Sequence, residues 1–217
     1  MRSWPQYREP AGFVWRRDVA VLISGMLQAM SPTHRLPLPP TVLVLASGRG
    51  ERFTASGGRV HKLQAMLGDQ TVLQHTLAAV RASGLPWHLE DVGHPGMGDS
   101  IAAAVRATAD AQGWLVLPGD LPLIQAATLR QVAQALQQHP VVVPVFQAQG
   151  GPRGHPVGFA RSCREALLAL KGNQGAAPVL RSFVATELIV YDPGTVTDID
   201  TLQDLERASA LWAERQA

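Results

Sequence analysis

Thr41-Val-Leu-Val-Leu45, followed directly by Ala46-Ser-Gly-Arg-Gly-Glu-Arg52, is the stretch that decides the fold. An uninterrupted run of apolar and β-branched residues predicts a strand that is buried on both faces. The glycines and small residues after it predict a loop at the carboxyl end of that strand, where open α/β sheets bind their ligands. The stretch therefore indicates an α/β fold with a ligand site above its first strand.

Strand and helix patterns alternate along the rest of the chain. Further apolar runs predict strands at 87–92, 114–117, 141–145 and 188–191. Capping boxes predict three helix starts, formed by Thr71 with Gln74, Thr128 with Gln131 and Ser162 with Glu165. Asp99 or Ser100 is expected to cap a further helix over 101–108, and Thr201 the final one. We therefore expect a mostly parallel sheet with helices on both faces.

Composition and charge exclude several classes of protein. The 217 residues suit one domain with an appendage. The formal net charge is +2, but residues 1–40 carry five arginines against two acids, which leaves 14 bases and 15 acids in residues 41–217. The body therefore lacks the basic surface typical of nucleic-acid binding. The single cysteine, Cys163, excludes a disulfide framework within the chain and a cysteine-rich zinc site, and it fits a reducing, cytoplasmic location.

The first 40 residues differ from the rest. The apolar run at 19–30 is shorter than the roughly 20 residues that span a bilayer, and it lacks the small-residue cleavage site of a signal peptide. Residues 31–40 are rich in proline, as linkers are. We predict an extension with a proline-rich linker over 1–40 and one domain over 41–217. A packed extra helix or strand and an over-extended start codon are both open interpretations of the extension.

Four segments carry candidate chemistry. The loop after the first strand, with Lys62 further on, could cradle a phosphate or simply be a flexible glycine loop. Asp120 in Pro118-Gly-Asp-Leu-Pro122 suits a turn or a cation ligand. Asp198 and Asp200 could hold Mg²⁺ or favour the start of the next helix. The fourth segment, Arg153-Gly-His-Pro-Val157, places a cation and an imidazole in a predicted loop.

Taken together in chain order, these segments resemble the nucleotidyltransferases of molybdenum cofactor biosynthesis. The resemblance extends over residues 41–210, also includes His61-Lys-Leu63, Thr71-Val-Leu-Gln-His75 and Gly96-Met-Gly-Asp-Ser100, and is greatest to the molybdenum cofactor cytidylyltransferases. It implies a Rossmann-like nucleotidyltransferase fold. The reaction it implies joins a nucleoside monophosphate from CTP or GTP to the terminal phosphate of molybdopterin, with Mg²⁺ or Mn²⁺, and releases pyrophosphate.

The resemblance also implies roles for individual residues. Catalysis would depend on Arg52, Lys62 and Asp120, the first two by neutralising the triphosphate. The nucleotide would further contact Leu45, Ala46, Ser47, Gly48, Gly98 and Ser100. The metal ligands would be Asp120, Asp198 and Asp200. The acceptor would face Pro122, Arg153, Gly154, His155 and Pro156. The implied partners are these small molecules and a molybdoenzyme that receives the cofactor, with neither nucleic acid nor membrane.

Several features depart from the family pattern. Arg52 and Lys62 are further apart than usual, and Ser47 leaves the choice between CTP and GTP open, with CTP favoured. The interval 84–95 has room for one strand where the family has a further strand–helix unit, and residues 18–25 are one conjectured source of that strand. Asn173 and Ala177 replace an expected Asp and Arg. Two alternatives stay open: another phosphorylated acceptor, such as a sugar or alditol phosphate, and a non-catalytic carrier of the cofactor.

Overall fold

Eight strands and seven α-helices lie within residues 38–216, the part of the chain that the computed structural model describes. The strands are β1 (Thr41–Leu45), β2 (Met66–Leu67), β3 (Gln70–Thr71), β4 (Trp87–Glu90), β5 (Gly113–Pro118), β6 (Val141–Phe146), β7 (Val157–Ala160) and β8 (Ala185–Val190). The helices are α1 (Glu51–Ala55), α2 (Val72–Ser83), α3 (Met97–Ala107), α4 (Ala126–Ala135), α5 (Arg164–Leu168), α6 (Ala177–Ser182) and α7 (Leu202–Gln216). The conjectured strand at 18–25, and the predicted extension except for 38–40, lie outside the described residues.

The main sheet has six strands in the order β4-β1-β5-β7-β6-β8. Strand β1 is parallel to both β4 and β5, and β6 is parallel to β8. Strand β7 is antiparallel to β5 and β6. The predicted fold class, a mostly parallel sheet with helices on both faces, is confirmed. Strand β7 is the exception, because it is antiparallel to its neighbours. It begins at Val157, the last residue of the segment for which the sequence predicts a loop.

Each face of the sheet has its own hydrophobic core. Alternate residues of a strand point to opposite faces, so β1 directs Leu43 and Leu45 into one core and Val42 and Val44 into the other. The first core packs against α3, α5 and α6, and the second against α2 and α4. All five residues of β1 are buried, as its unbroken apolar pattern predicted.

The predicted helix starts had mixed outcomes. Thr71 and Gln74 form the predicted capping box of α2, which ends at Gly84 in the left-handed conformation. The box predicted at Thr128 is wrong: α4 begins at Ala126, and the Thr128 hydroxyl instead donates to Asp192 at 2.7 Å. A buried carboxylate from a distant part of the chain is the stronger acceptor, and local spacing does not reveal it.

The caps predicted for α3 and α5 are also wrong. Helix α3 begins at Met97, where Gly96 is the N-cap, and Asp99 accepts a hydrogen bond from the Gly172 backbone at 2.8 Å. Helix α5 begins at Arg164 without a side-chain cap. The interval between α2 and α3 holds one strand, β4, which is an outer strand of the sheet within the described residues. None of the helices in residues 38–216 is long and apolar enough to cross a membrane.

Candidate active site

A cavity of about 470 Å³ lies at the carboxyl ends of β1 and β5. Its walls are the loop after β1, helix α1, the start of α3 and the residues that follow β5. The lining contains eight of the residues singled out from the sequence: Leu45, Ser47, Gly48, Arg52, Lys62, Ser100, Asp120 and Asp200. The position agrees with the rule that open α/β sheets bind ligands beyond the carboxyl ends of their strands.

The glycine loop, residues 46–50 after β1, packs against the segment that carries Lys62. The His61 Nε2–H donates to the Gly48 carbonyl at 2.7 Å, and His61 Nδ1 accepts from the Leu63 backbone. Gly50 is in the left-handed conformation, and a Cβ there would approach the His61 ring to 3.3 Å. A Cβ on Gly48 would meet no atom within 4 Å. The backbone at Gly48 is therefore open to a ligand in the cavity.

The start of α3 forms a wall of the cavity next to the glycine loop. The hydroxyls of Ser47 and Ser100 hydrogen-bond at 2.7 Å and so join loop and helix. The N–H groups of the first helical turn have no acceptor within the helix, and they carry a partial positive charge toward the cavity. Gly98 belongs to this turn and is buried, and a Cβ there would come within 2.9 Å of the Lys171 backbone. Gly98 thus holds α3 against the chain at Lys171.

Lys62 lies at the centre of a charged cluster. Its Nζ donates to Asp120 Oδ2 at 2.6 Å and to Asp200 Oδ1 at 2.8 Å. Arg52 Nη1 pairs with Asp200 Oδ2 at 2.6 Å. The unusual spacing between Arg52 and Lys62 therefore does not separate their charges, because helix α1 and the turn after it return the chain to the site. Both cations meet at the carboxylate of Asp200.

The charges in the cluster shift one another's proton affinities. Burial by itself lowers the pKa of Lys62, but attraction by Asp120 and hydrogen bonds to both carboxylates raise it above its ordinary value. Burial raises the pKa of Asp200, but the hydrogen bond from Lys62 and the charges of Lys62 and Arg52 outweigh it and lower that pKa. Burial and repulsion by neighbouring carboxylates raise the pKa of Asp198. An additional cation would relieve the repulsion at Asp198.

The carboxylates of Asp120 and Asp200 suit a divalent cation for which substrate phosphates would supply the remaining ligands. Asp120 Oδ1 is buried and has no hydrogen-bond partner among the described residues, so it is an acceptor left over for a ligand. Within residues 38–216 no group of three His, Cys, Asp or Glu side chains is arranged to hold a metal. Mg²⁺ is commonly held by one or two carboxylates together with substrate phosphates. Asp120 and Asp200 line the cavity and suit that role, whereas Asp198 is exposed and outside the lining.

The predicted acceptor segment lies outside the cavity lining. Arg153 Nη2 pairs with Glu187 of β8 at 3.3 Å. The Gly154 backbone packs against Thr195, and the His155 N–H donates to the Thr195 carbonyl. Burial lowers the pKa of the His155 imidazole despite attraction by Asp120 and Asp198. His155 is therefore buried outside the cavity lining, while Arg153 pairs with the outer strand of the sheet.

The remaining predicted residues lie around the cavity. Pro122 is buried after β5, and Pro156 follows a cis peptide bond. The Ala46 N–H donates to the Glu90 carbonyl at 2.8 Å, so this residue continues the pairing of β1 with β4. Pro122, Pro156, Ala46 and the buried Gly98 do not contribute to the lining.

Three residues of the site were missed by the sequence analysis as candidates for function. His94 and Asn173 line the cavity, and His61 supports the glycine loop. His94 Nε2 is 3.1 Å from Glu90 Oε1, at the carboxyl end of β4. A polar residue beside Gly96 and Met97 was the available signal for His94, but its proximity to Glu90 depends on the position of β4 next to β1.

A buried carboxylate positions the loop that carries Asp200. Asp192 accepts hydrogen bonds from the backbone of Gln125 and from the Thr128 hydroxyl, and it pairs with Arg215 of α7. Further along the same loop, the Ile199 N–H donates to the Asp120 carbonyl at 3.0 Å. The two acidic segments of the site are thereby joined to each other and to α4 and α7.

The comparisons with known proteins agree with this geometry. The model of one family, the MobA-like NTP transferase domain, matches residues 77–188, just over half of the chain. A curated relative, the bifunctional protein GlmU of Xanthomonas axonopodis pv. citri, is 30% identical over an alignment of 155 residues, which covers 60% of this chain and 32% of the relative. The chain thus spans about a third of the length of the curated GlmU relatives it matches.

Two solved structures share the fold. Rv0371c from Mycobacterium tuberculosis H37Rv has a TM-score of 0.66 and 23% identity, over 80% of this chain and 98% of that one. It has also been solved in complex with manganese. The 2-C-methyl-D-erythritol 4-phosphate cytidylyltransferase from Thermus thermophilus has a TM-score of 0.57 and 21% identity, over 81% of this chain and 100% of that one. These structures establish a Rossmann-like nucleotidyltransferase fold for the described residues.

Proposed function

Because the chain belongs to the family defined by the MobA-like NTP transferase domain, we propose that it transfers a nucleoside monophosphate from an NTP to a phosphorylated acceptor. The observation that supports this most is the cluster of Arg52, Lys62, Asp120 and Asp200 in one cavity beside the glycine loop. Two cations and two carboxylates in that position suit a triphosphate that arrives with a divalent metal ion.

The proposed step is an in-line displacement at the α-phosphorus of the NTP. A phosphate oxygen of the acceptor forms the new bond, the bond to the β-phosphate bridge breaks, and pyrophosphate leaves with the electron pair. The attacking phosphate is already anionic, so no side chain has to remove a proton from it. Negative charge increases on the pyrophosphate, and Lys62 and Arg52 are the groups that can stabilise it.

Asp120 and Asp200 are the carboxylates that would hold the divalent cation. When bound, Mg²⁺ supplies charge neutralisation at the phosphates and fixes their orientation. Asp120 Oδ1 supports this assignment, because it is buried and accepts no hydrogen bond from the described residues. Ser47, Gly48 and Ser100 are available to position the nucleotide, because they line the same cavity.

For the substrates themselves, we propose a molybdopterin-type acceptor with CTP as the favoured donor. Its support is the family order of short motifs along residues 41–210, whereas Ser47 by itself leaves the choice between CTP and GTP open. A sugar or alditol phosphate is the second candidate. It is favoured by the relatives, since one structural neighbour is named as a cytidylyltransferase of 2-C-methyl-D-erythritol 4-phosphate. A non-catalytic carrier is disfavoured, because such a protein has no need of a cluster that suits a triphosphate and a metal.

One assay distinguishes these possibilities. Pyrophosphate release is measured for the full chain with each of the four NTPs and Mg²⁺, in the presence of molybdopterin, 2-C-methyl-D-erythritol 4-phosphate or a sugar 1-phosphate. We expect release to depend on the acceptor and to be greatest with CTP and molybdopterin, with the nucleotidylated product identified by mass. Release only with an alditol or sugar phosphate would support the second candidate. Tight molybdopterin binding without release from any NTP would contradict the proposed activity.

A matched pair of variants tests the site itself. Asp120→Asn removes one carboxylate charge without changing the shape of the side chain, and we expect the rate of pyrophosphate release to fall about 100-fold or more. Asp110→Asn makes the same change on an exposed turn before β5, at the opposite end of that strand, and should leave the rate unchanged. Equal rates for Asp120→Asn and the unmodified protein would remove Asp120 from the proposed site.

A further inference from the structure

Lys62 lies where the divalent cation is expected. Its ammonium contacts Asp120 Oδ2 at 2.6 Å and Asp200 Oδ1 at 2.8 Å, and the side chains of Lys62 and Asp120 are 13% and 14% exposed. We propose that Lys62 is an internal counter-ion that excludes divalent metal from the nucleotide-free protein, and that a bound triphosphate removes it from the carboxylates. This inference rests on the proposed function, because it concerns the same nucleotide and metal site.

The ammonium and a metal ion compete for the same oxygens. Mg²⁺ approaches carboxylate oxygens to about 2.0–2.1 Å and tolerates little distortion of its coordination. One oxygen of Asp120 and one of Asp200 are already hydrogen-bonded to Lys62. A dication on the free oxygen of Asp120 would lie only a few ångströms from the ammonium, and in a largely buried site that repulsion is weakly screened. Metal binding therefore requires Lys62 to leave.

A triphosphate provides the ammonium with another anionic partner. Lys62 lines the cavity together with Gly48 and Arg52, so phosphate oxygens placed there are within reach of its flexible side chain. If Lys62 left the carboxylates without such a partner, an ammonium and two carboxylates would be unpaired in a largely buried site, which is costly. When triphosphate and metal arrive together, Lys62 pairs with phosphate and the carboxylates pair with the metal. Every charge in the cluster then keeps a partner.

Arg52 contributes less to this exclusion. It pairs with the other oxygen of Asp200, but its side chain is 80% exposed and its charge is screened by water and salt. Lys62 contacts both carboxylates, whereas Arg52 contacts one. The consequence is that metal and nucleotide favour each other's binding, and this coupling must be reciprocal.

Mn²⁺ binding without nucleotide tests the inference directly. The full chain is titrated with Mn²⁺ in about 0.15 M salt, and free Mn²⁺ is measured by electron paramagnetic resonance. We expect Lys62→Met to bind one Mn²⁺ about tenfold or more tightly than the unmodified protein, within the usual range of coupling between sites. Lys171→Met removes the only other lysine and should not change the affinity. Arg52→Met should change it about threefold or less.

Two further measurements make the result specific. Adding Asp120→Asn to Lys62→Met should abolish the gain in Mn²⁺ affinity, because the gain depends on that carboxylate. Thermal unfolding should show that Mn²⁺ raises the Tm of Lys62→Met more than that of the unmodified protein, which also establishes that the variant folds. An unchanged Mn²⁺ affinity in folded Lys62→Met would overturn the inference, as would an equal gain in Lys171→Met.

The two proposals fail in different ways. If the unmodified protein releases pyrophosphate but Lys62→Met gains no Mn²⁺ affinity, the proposed function stands and the counter-ion role of Lys62 is wrong. If no NTP is a substrate but Lys62→Met gains Mn²⁺ affinity, Lys62 excludes the metal as proposed and the proposed function is wrong. The Mn²⁺ measurement uses no nucleotide, so loss of catalytic activity in Lys62→Met does not affect its interpretation.

Discussion

Replacing Asp192 by asparagine is expected to destabilise the folded protein strongly. The Asp192 side chain is 5% exposed and accepts five hydrogen bonds. The donors are the Gln125 backbone and side-chain amides, the Thr128 hydroxyl, the Gly194 N–H and Arg215. All five groups are donors, so the site requires an acceptor at both carboxylate oxygens.

The magnitude follows from the number of donors that asparagine cannot satisfy. Asparagine has nearly the same shape, but an NH₂ group replaces one oxygen and faces donors. The oxygen with fewer contacts, Oδ2, accepts two of the five hydrogen bonds, so at least two donors lose their acceptor. Each unsatisfied buried donor costs about 1–3 kcal/mol, so the loss is about 3 kcal/mol or more. At about 2–4 °C per kcal/mol, the Tm should fall by about 6–12 °C.

Urea unfolding followed by circular dichroism measures this loss. Thr128→Val is the matched control, because it removes one donor and keeps the carboxylate, and it should cost about 1 kcal/mol. A free energy of unfolding for Asp192→Asn within about 0.5 kcal/mol of the unmodified protein would refute the reasoning. It would mean that the buried charge of Asp192 is not required for the arrangement of α4, α7 and the loop that carries Asp200.

Three other changes have defined outcomes. Burial holds the pKa of His155 below its ordinary value of 6.5, so below about pH 6.5 the unfolded chain binds a proton that the folded protein does not. The contribution of His155 to the free energy of unfolding is therefore complete above about pH 6.5 and should decrease below it by up to about 1.4 kcal/mol per pH unit. Urea unfolding at several pH values should show a less steep decrease in His155→Gln. Gly98→Ala places a Cβ within 2.9 Å of the Lys171 backbone, so the start of α3 has to shift. Because that part of α3 lines the cavity, the KM for NTP should rise several-fold, and an unchanged KM would mean that the shift does not disturb the nucleotide site. Thr71→Ala removes the cap of α2 and should lower the free energy of unfolding by about 1 kcal/mol, measured in urea; no loss would indicate that Gln74 alone maintains the helix start.

Elements whose signals are local could be predicted from the sequence. Strand β1 was recognisable because both of its faces are buried, which makes its residues uniformly apolar. The start of α2 was recognisable because both partners of its capping box lie within four residues of each other. Strand β7 was missed, because its pairing with β5 and β6 depends on segments tens of residues away.

The candidate site was predicted in the same uneven way. The glycine loop, Lys62, Asp120 and Asp200 could be selected, because residue types suited to phosphate and metal follow buried strands. Arg153 was chosen for its charge, but the structure pairs it with Glu187 of β8. Its partner belongs to a neighbouring strand, and the order of strands in the sheet cannot be inferred from local spacing.

The sequence by itself determined that an α/β sheet would present small, basic and acidic residues at the ends of its strands, because burial and backbone geometry leave a direct pattern along the chain. Only the tertiary structure decided how those charges pair. Lys62 meets Asp200 across 138 positions of sequence, and Arg52 meets the same carboxylate despite its unusual distance from Lys62 along the chain. The physical reason is that ion pairs depend on separation in space, and folding brings the ends of β1 and β5 and the loop before α7 to one cavity.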